Sequence, residues 1–124
     1  MTKKILLVED EALIAESASL LLEDEGYSVT IAYNGLDGLA AARDEMPDLI
    51  IADYMMPRMN GLEMIENLQQ EGIVIPTLIV SSIPQDKLPQ QSDRALYDDY
   101  LGKPFLDREL LRAVRQLLAN GSAK

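Results

Sequence analysis

The sequence predicts an α/β domain: a doubly wound sheet of five parallel strands covered by helices on both faces, a three-layer sandwich. Three observations carry that expectation. Short apolar runs of four or five residues alternate with longer stretches whose apolar residues recur at helical spacing. Strands alternating with helices imply parallel pairing through right-handed crossovers. Finally, the reactive side chains Glu9-Asp10, Asp53, Ser81 and Lys103 end or follow four of the apolar runs. In an open parallel sheet the ligand crevice lies outside the carboxyl ends of the strands.

The elements follow in order. Lys4-Ile5-Leu6-Leu7-Val8 reads as a buried first strand, and Glu11 to Glu25 as a helix with Ile14, Ala18 and Leu21 at helical spacing, stopped by Gly26. Tyr27 to Tyr33 is a β-branched second strand with Val29 and Ile31 alternating with Ser28 and Thr30. Asn34-Gly35 turns into an alanine-rich helix, Leu36 to Glu45, which Met46-Pro47 ends. Leu49 to Ala52 forms the third strand and delivers Asp53 at its end. Asn60-Gly61 opens a third helix with Leu62, Ile65 and Leu68 facing inward, closed by Gly72, and Pro76 to Ser81 supplies the fourth strand.

The alternation then demands a fourth helix where Pro84 and Pro89 bracket the polar Gln85-Asp86-Lys87-Leu88. Proline inside a helix costs about 3 kcal/mol. The expectation is an atypical fourth helix: short, displaced past Pro89 or loosely formed. A fifth strand around Tyr100-Leu101-Gly102 precedes the last helix, Asp107 to Asn120, capped by Asp107 and striped with Leu110, Leu111, Val114, Leu117 and Leu118.

At 124 residues, with 48% hydrophobic and 26% charged residues, the chain has the balance of one globular domain. Residues 1–120 form the expected domain and residues 121–124 a polar tail. The apolar runs are far too short to cross a membrane, and Met1-Thr2-Lys3-Lys4 leads straight into a strand rather than a signal-peptide core. A cytoplasmic location is expected. Cysteine and histidine are both absent, which excludes thiolate chemistry, a histidine-ligated zinc, a Ser-His-Asp triad and a phosphohistidine on this chain. The net charge of -10 disfavours direct contact with nucleic acid or an anionic membrane, and suits a divalent cation and basic protein partners.

Four motifs, Val8-Glu9-Asp10-Glu11, Asp53-Tyr54-Met55-Met56-Pro57-Arg58-Met59-Asn60-Gly61, Val80-Ser81-Ser82 and Lys103-Pro104-Phe105, stand in order on the alternating pattern. Together they resemble the receiver domain of bacterial two-component response regulators, CheY-like, across nearly the whole chain. The resemblance implies a flavodoxin-like strand order, 2-1-3-4-5. It also implies that Asp53 accepts a phosphoryl group from the phosphohistidine of a histidine kinase or phosphotransfer protein. Mg²⁺ is then expected on Asp10, Asp53, the Met55 backbone carbonyl and Glu9, with Lys103 and the Ser81 hydroxyl meeting phosphoryl oxygens.

Backbone N–H groups near Met55 and Ser82 would complete the cradle. Family spacing to Lys103 favours Ser81 over Ser82 as the hydroxyl. Tyr100 matches the aromatic that moves with that hydroxyl on activation, and Lys103-Pro104 matches the family's usual cis peptide. Tyr97 and Pro89 depart from the family pattern and put the usual fourth-helix output surface in question.

The chemistry fits on its own terms. An ionised aspartate can attack phosphorus, and the transfer needs charge neutralised on the equatorial oxygens, which a divalent ion and a lysine supply. Singly, each residue has a plainer reading: Asp10 a helix cap, Asp53 and Ser81 turn residues, Lys103 a solvated charge. Their concurrence at four strand ends favours the site.

The expected function is a phosphorylation-controlled switch whose fourth helix, fifth strand and fifth helix address a downstream protein, with only self-catalysed phosphotransfer and slow self-dephosphorylation as activity. An aspartyl phosphohydrolase of the haloacid-dehalogenase kind would want Asp-x-Asp, and Asp53-Tyr54-Met55 lacks the second carboxylate. A flavin carrier would want a phosphate-cradling loop where Glu9-Asp10-Glu11 stands. A partner-binding pseudo-receiver would not need the complete acidic set.

Overall fold

A computed structural model describes residues 2–89 and 96–122 of the chain. The three most apolar runs become the centre of the sheet: β1 (Lys4–Val8), β3 (Leu49–Asp53) and β4 (Thr77–Ser81), the last two buried throughout. Strands covered on both faces have no solvent side to alternate toward, so they read as continuous apolar runs. β2 (Ser28–Ala32) and β5 (Asp99–Gly102) close the two edges and are only half-buried. The order is β2-β1-β3-β4-β5 and every pair is parallel, as expected.

Two apolar clusters sandwich this sheet. On one face α2 (Gly35–Glu45) and α3 (Gly61–Gln70) bring Leu39, Ala42, Met64 and Leu68 against Leu6, Val8, Ile50, Ala52 and Ile79. On the other, α1 (Ala12–Asp24) and α4 (Asp107–Ser122) bring Ala15, Leu22, Leu110, Val114 and Leu117 against Ile5, Leu7, Leu49, Ile51 and Val80. Local signals set the boundaries. Asn34 accepts from the Asp37 N–H to start α2, and Met46 ends it in the left-handed region at φ 45°. Asn60 and Glu63 exchange hydrogen bonds in a capping box at the start of α3. Gly26 and Gly72 reverse the chain at φ 94° and 83°, where a side chain would be strained.

Spacing alone leaves the phase of α1 open, and both ends of the last helix differ from expectation. The buried positions of α1 are Ala15, Ser19 and Leu22, while Ala18 and Leu21 of the helically spaced set pack partly buried against the same cluster. Apolar residues surround this helix, so its periodicity has no unique phase, and the small side chains win the place against the sheet. Leu13 and Leu20 are left 81% and 65% exposed.

Asp107 is the first residue of α4 rather than its cap. The Leu106 carbonyl accepts the first helical bond, from Leu110, while the Leu106 N–H donates to the Glu109 carboxylate at 2.7 Å. α4 also runs two residues past Asn120 into the expected tail, because Gly121-Ser122 continues its turn.

The fourth helix is atypical, as expected. The described residues between β4 and β5 hold a single 3₁₀ turn, Gln85–Lys87, framed by prolines that cannot sit inside an α-helix. Leu88, 6% exposed, drops from that turn into the α2/α3 cluster. The stretch past Pro89 where a displaced helix was expected, residues 90–95, lies outside the described residues. On the far side, Tyr97 Oη accepts from Gln85 Nε2 at 3.2 Å and the Leu96 carbonyl accepts from Gln69 Nε2 at 3.2 Å.

Candidate functional site

The parallel register puts the ends of β1, β3 and β4 and the residue after β5 side by side. Val8 pairs with Ala52 and Asp53 with Val80, while Ser81 pairs with Gly102. Glu9 follows β1 and Lys103 follows β5, so four distant stretches of sequence reach one sheet edge.

Asp53 is 7% exposed, and both of its carboxylate oxygens are engaged. The Met55 N–H donates to Oδ1 at 3.2 Å and the Lys103 ammonium donates to Oδ2 at 2.8 Å. Lys103 also donates to Glu9 Oε1 at 3.0 Å, and the Glu11 N–H donates to Glu9 Oε2 at 3.1 Å. Glu9 is 4% exposed, whereas Asp10 is exposed and its carboxylate has no partner among the described residues. Carboxylate oxygens of Glu9, Asp10 and Asp53 lie within 4.8 Å of one another.

That crowding perturbs the groups. Burial pushes the Glu9 carboxyl up to about 7, with Asp53 repulsion adding, against the opposing hydrogen bonds from Glu11 and Lys103. Burial works against the Lys103 ammonium too, but its hydrogen bonds to Asp53 and Glu9 prevail and hold its pKa above the ordinary value. A cavity of about 20 Å³ walled by Leu7, Ile51, Phe105 and Leu110 lies beside Glu9, Asp53 and Lys103, so the polar cluster rests on an apolar floor.

The hydroxyl side of the site is organised by the backbone. Ser81 is fully buried at the end of β4, and its Oγ accepts from the Ile83 N–H at 2.9 Å. Its carbonyl accepts from the Lys103 N–H at 2.8 Å. Tyr100 turns its hydroxyl inward, donating to the Ser81 carbonyl at 3.3 Å or to the Ile83 carbonyl. Burial there pushes the Tyr100 phenol up, with Tyr97 and Asp86 adding. Ser82 is exposed on the bend that follows, and the Met55 side chain, 57% exposed, lies two residues beyond Asp53. The Lys103-Pro104 peptide is cis.

Glu9, Asp10, Asp53 and Lys103 are thus brought together directly. Ser81 and Tyr100 join as a separate backbone-linked pair, and Ser82 adds no side-chain hydrogen bond among the described residues. Two features were missed in the sequence: the Lys103 bridge from Asp53 to Glu9, and the role of Glu11, whose N–H rather than its charge reaches Glu9. A sheet-end position signals neither.

The family model of the response regulator receiver domain matches residues 5–115. The chain belongs to this family. The receiver domain is 36% identical over 129 aligned residues to the alkaline phosphatase synthesis transcriptional regulatory protein SphR of Synechococcus elongatus, covering 93% of this chain and 48% of that one. It is also 36% identical to the alkaline phosphatase synthesis transcriptional regulatory protein PhoP of Bacillus subtilis, covering 95% and 49%.

The receiver domain therefore spans about half the length of these curated relatives. Among solved structures, a CheY-like response regulator receiver domain protein from Methanospirillum hungatei superposes with a TM-score of 0.86 at 27% identity, covering 99% and 98% of the two chains. No helix among the described residues of this receiver domain is long and apolar enough to cross a membrane.

Proposed function

We propose that this receiver domain is a phosphorylation-controlled signalling switch in which Asp53 is the phosphoacceptor. The observation that carries the reading is the setting of Asp53: a buried carboxylate at a strand end, held by Lys103 and crowded by Glu9 and Asp10. An Asp53 oxygen attacks phosphorus of a phosphohistidine presented by a histidine kinase or phosphotransfer protein. The new O–P bond forms as the P–N bond breaks, and the electron pair leaves with the imidazole.

Glu9, Asp10 and Asp53, with the Met55 backbone carbonyl, offer the hard oxygen donors that Mg²⁺ takes. Bound there, the ion supplies charge neutralisation for the transferring phosphoryl group. Lys103 pairs with one phosphoryl oxygen, and Ser81 donates its hydroxyl proton to another, which remains available because Oγ only accepts from Ile83. Backbone N–H groups at Ser82 and Met55 complete the cradle, the Met55 N–H turning from Asp53 Oδ1 to the phosphoryl group.

The output follows from Tyr100. Its hydroxyl donates to the carbonyl of Ser81 or of Ile83, so a displacement of Ser81 toward phosphate changes what Tyr100 holds and shifts the β5 and α4 surface toward or away from a downstream protein. Transcriptional control, named for SphR and PhoP, would be exerted through that protein contact rather than by this acidic domain on DNA. The test is incubation with phosphodonors, with and without Mg²⁺, followed by intact mass. One added phosphoryl group, absent in EDTA and absent in Asp53→Asn, is expected; full labelling of Asp53→Asn would overturn the assignment.

A further inference from the structure

Gly61, the first residue of α3, stands against the backbone of Asp53. A methyl group on Gly61 would lie 2.5 Å from the Asp53 carbonyl oxygen, 3.2 Å from its carbonyl carbon and 3.3 Å from Ile79 Cδ1. Gly61 is not among the residues with positive φ. Its backbone is open to any residue, so what the position demands is space rather than conformational freedom.

Neither side of this contact can retreat cheaply. The Gly61 N–H donates to the Tyr54 carbonyl at 3.0 Å, and the reciprocal Asn60–Glu63 bonds fix the first turn of α3 one residue away. On the other side Asp53 is in register with Val80, and the Tyr54 N–H donates to the Val80 carbonyl at 2.9 Å. The chain between Asp53 and Gly61 is therefore clamped between the sheet and a capped helix. An added carbon must tilt the Asp53 peptide or drag α3 off its cap. Tilting that peptide moves the carboxylate it carries away from Lys103 and the Met55 N–H.

We infer that Gly61 is a positioning residue for phosphoryl transfer: its missing side chain sets where the Asp53 backbone sits, and through it the carboxylate that attacks phosphorus. The inference rests on the reading of Asp53 as the phosphoacceptor. A misplacement of about 1 Å can cost on the order of a hundredfold in rate, so a small tilt has a large readout.

Gly38 supplies a matched comparison. A methyl there would meet Met64 Sδ at 2.7 Å and the Val8 methyls at 3.1 and 3.2 Å, side-chain atoms rather than the backbone of a reacting residue. The experiment compares the parent, Asp53→Asn, Gly38→Ala and Gly61→Ala. Each is given Mg²⁺ and increasing phosphoramidate, with labelling followed by intact mass and folding by denaturant melts. Enough trimethylamine N-oxide is included to keep every variant folded.

Gly38→Ala should lose stability yet label at close to the parent rate. Gly61→Ala should label at least about tenfold more slowly per folded molecule, through a lower maximal rate rather than a higher donor requirement. Equal rates for the two alanine variants would overturn the inference, showing that α3 yields and Asp53 stays. Unchanged labelling of Asp53→Asn would instead remove the phosphoacceptor reading itself, a result visible whatever Gly61→Ala does.

Discussion

Lys103 reaches back 94 residues to place its ammonium 3.0 Å from Glu9 Oε1, while the same nitrogen holds Asp53 Oδ2 at 2.8 Å. The domain thus carries its own counter-cation inside an acidic pocket. Both buried carboxylates have each oxygen engaged, Asp53 by Lys103 and the Met55 N–H and Glu9 by Lys103 and the Glu11 N–H, yet burial outweighs the partners of Glu9.

The pH dependence of metal-free stability should report Glu9. Its carboxyl is raised from 4.5 to about 7, so the folded chain keeps a proton that the unfolded chain has released across that interval. Stability present below pH 4.5 is accordingly lost as the pH rises through about 7. In EDTA the denaturant midpoint of the parent should fall across this window relative to Glu9→Gln. Parallel pH profiles for the two proteins would contradict the assignment.

Asp10 differs from its neighbours in having no partner to lose among the described residues. Asp10→Asn should therefore raise metal-free stability, by about 0.5 kcal/mol for an exposed charge, while reducing the stabilisation that Mg²⁺ gives. Thermal melts with and without the ion read both effects. A variant less stable than the parent in EDTA would show that Asp10 serves the fold.

Much of this was legible in the sequence, and the reason is physical. Strands buried on both sides must be apolar throughout, so β1, β3 and β4 announced themselves, and the residues that end them had to meet at one edge. The phase of α1 was not legible, because Leu13, Ile14, Leu20 and Leu21 compete with Ala15, Ser19 and Leu22 and only the distance to the sheet decides. Gly61 resembled an ordinary turn glycine, since a steric limit imposed by Asp53, eight residues earlier in the chain, leaves no trace in local spacing. The prolines around Gln85 to Leu88 did forecast an atypical fourth helix, but not that Leu88 would anchor the segment.

That anchoring refines what amide exchange should show. Among the described residues, Lys87 and Leu88 donate within the 3₁₀ turn, to Pro84 and Gln85, and should exchange faster than Ile79 and Val80 in the centre of the sheet. Leu88→Ala should quicken exchange of the turn further and cost about 2 kcal/mol, the low end for a buried leucine because the loop can collapse onto the gap. Protection of Lys87 equal to that of Val80 would mean that the turn is braced by more than its own bonds and Leu88.

Phosphoryl lifetime should depend on Met55. Hydrolysis needs a water in line behind phosphorus, and the residues two beyond Asp53 and Ser81, Met55 and Ile83, offer it no hydrogen bond. Met55 is 57% exposed, so its replacement should leave the fold intact. Met55→Asn, phosphorylated as fully as the parent, should lose its phosphoryl group faster when followed by intact mass. An unchanged half-life would place control of lifetime elsewhere.

The packing of α1 has a consequence of a different kind. Because Ala15, Ser19 and Leu22 supply the contact with the sheet, Leu13 and Leu20 are released from any duty to the core. Their side chains can be exchanged for polar ones at almost no thermodynamic penalty, so the outer surface of this helix can drift or be redesigned while the scaffold stays the same.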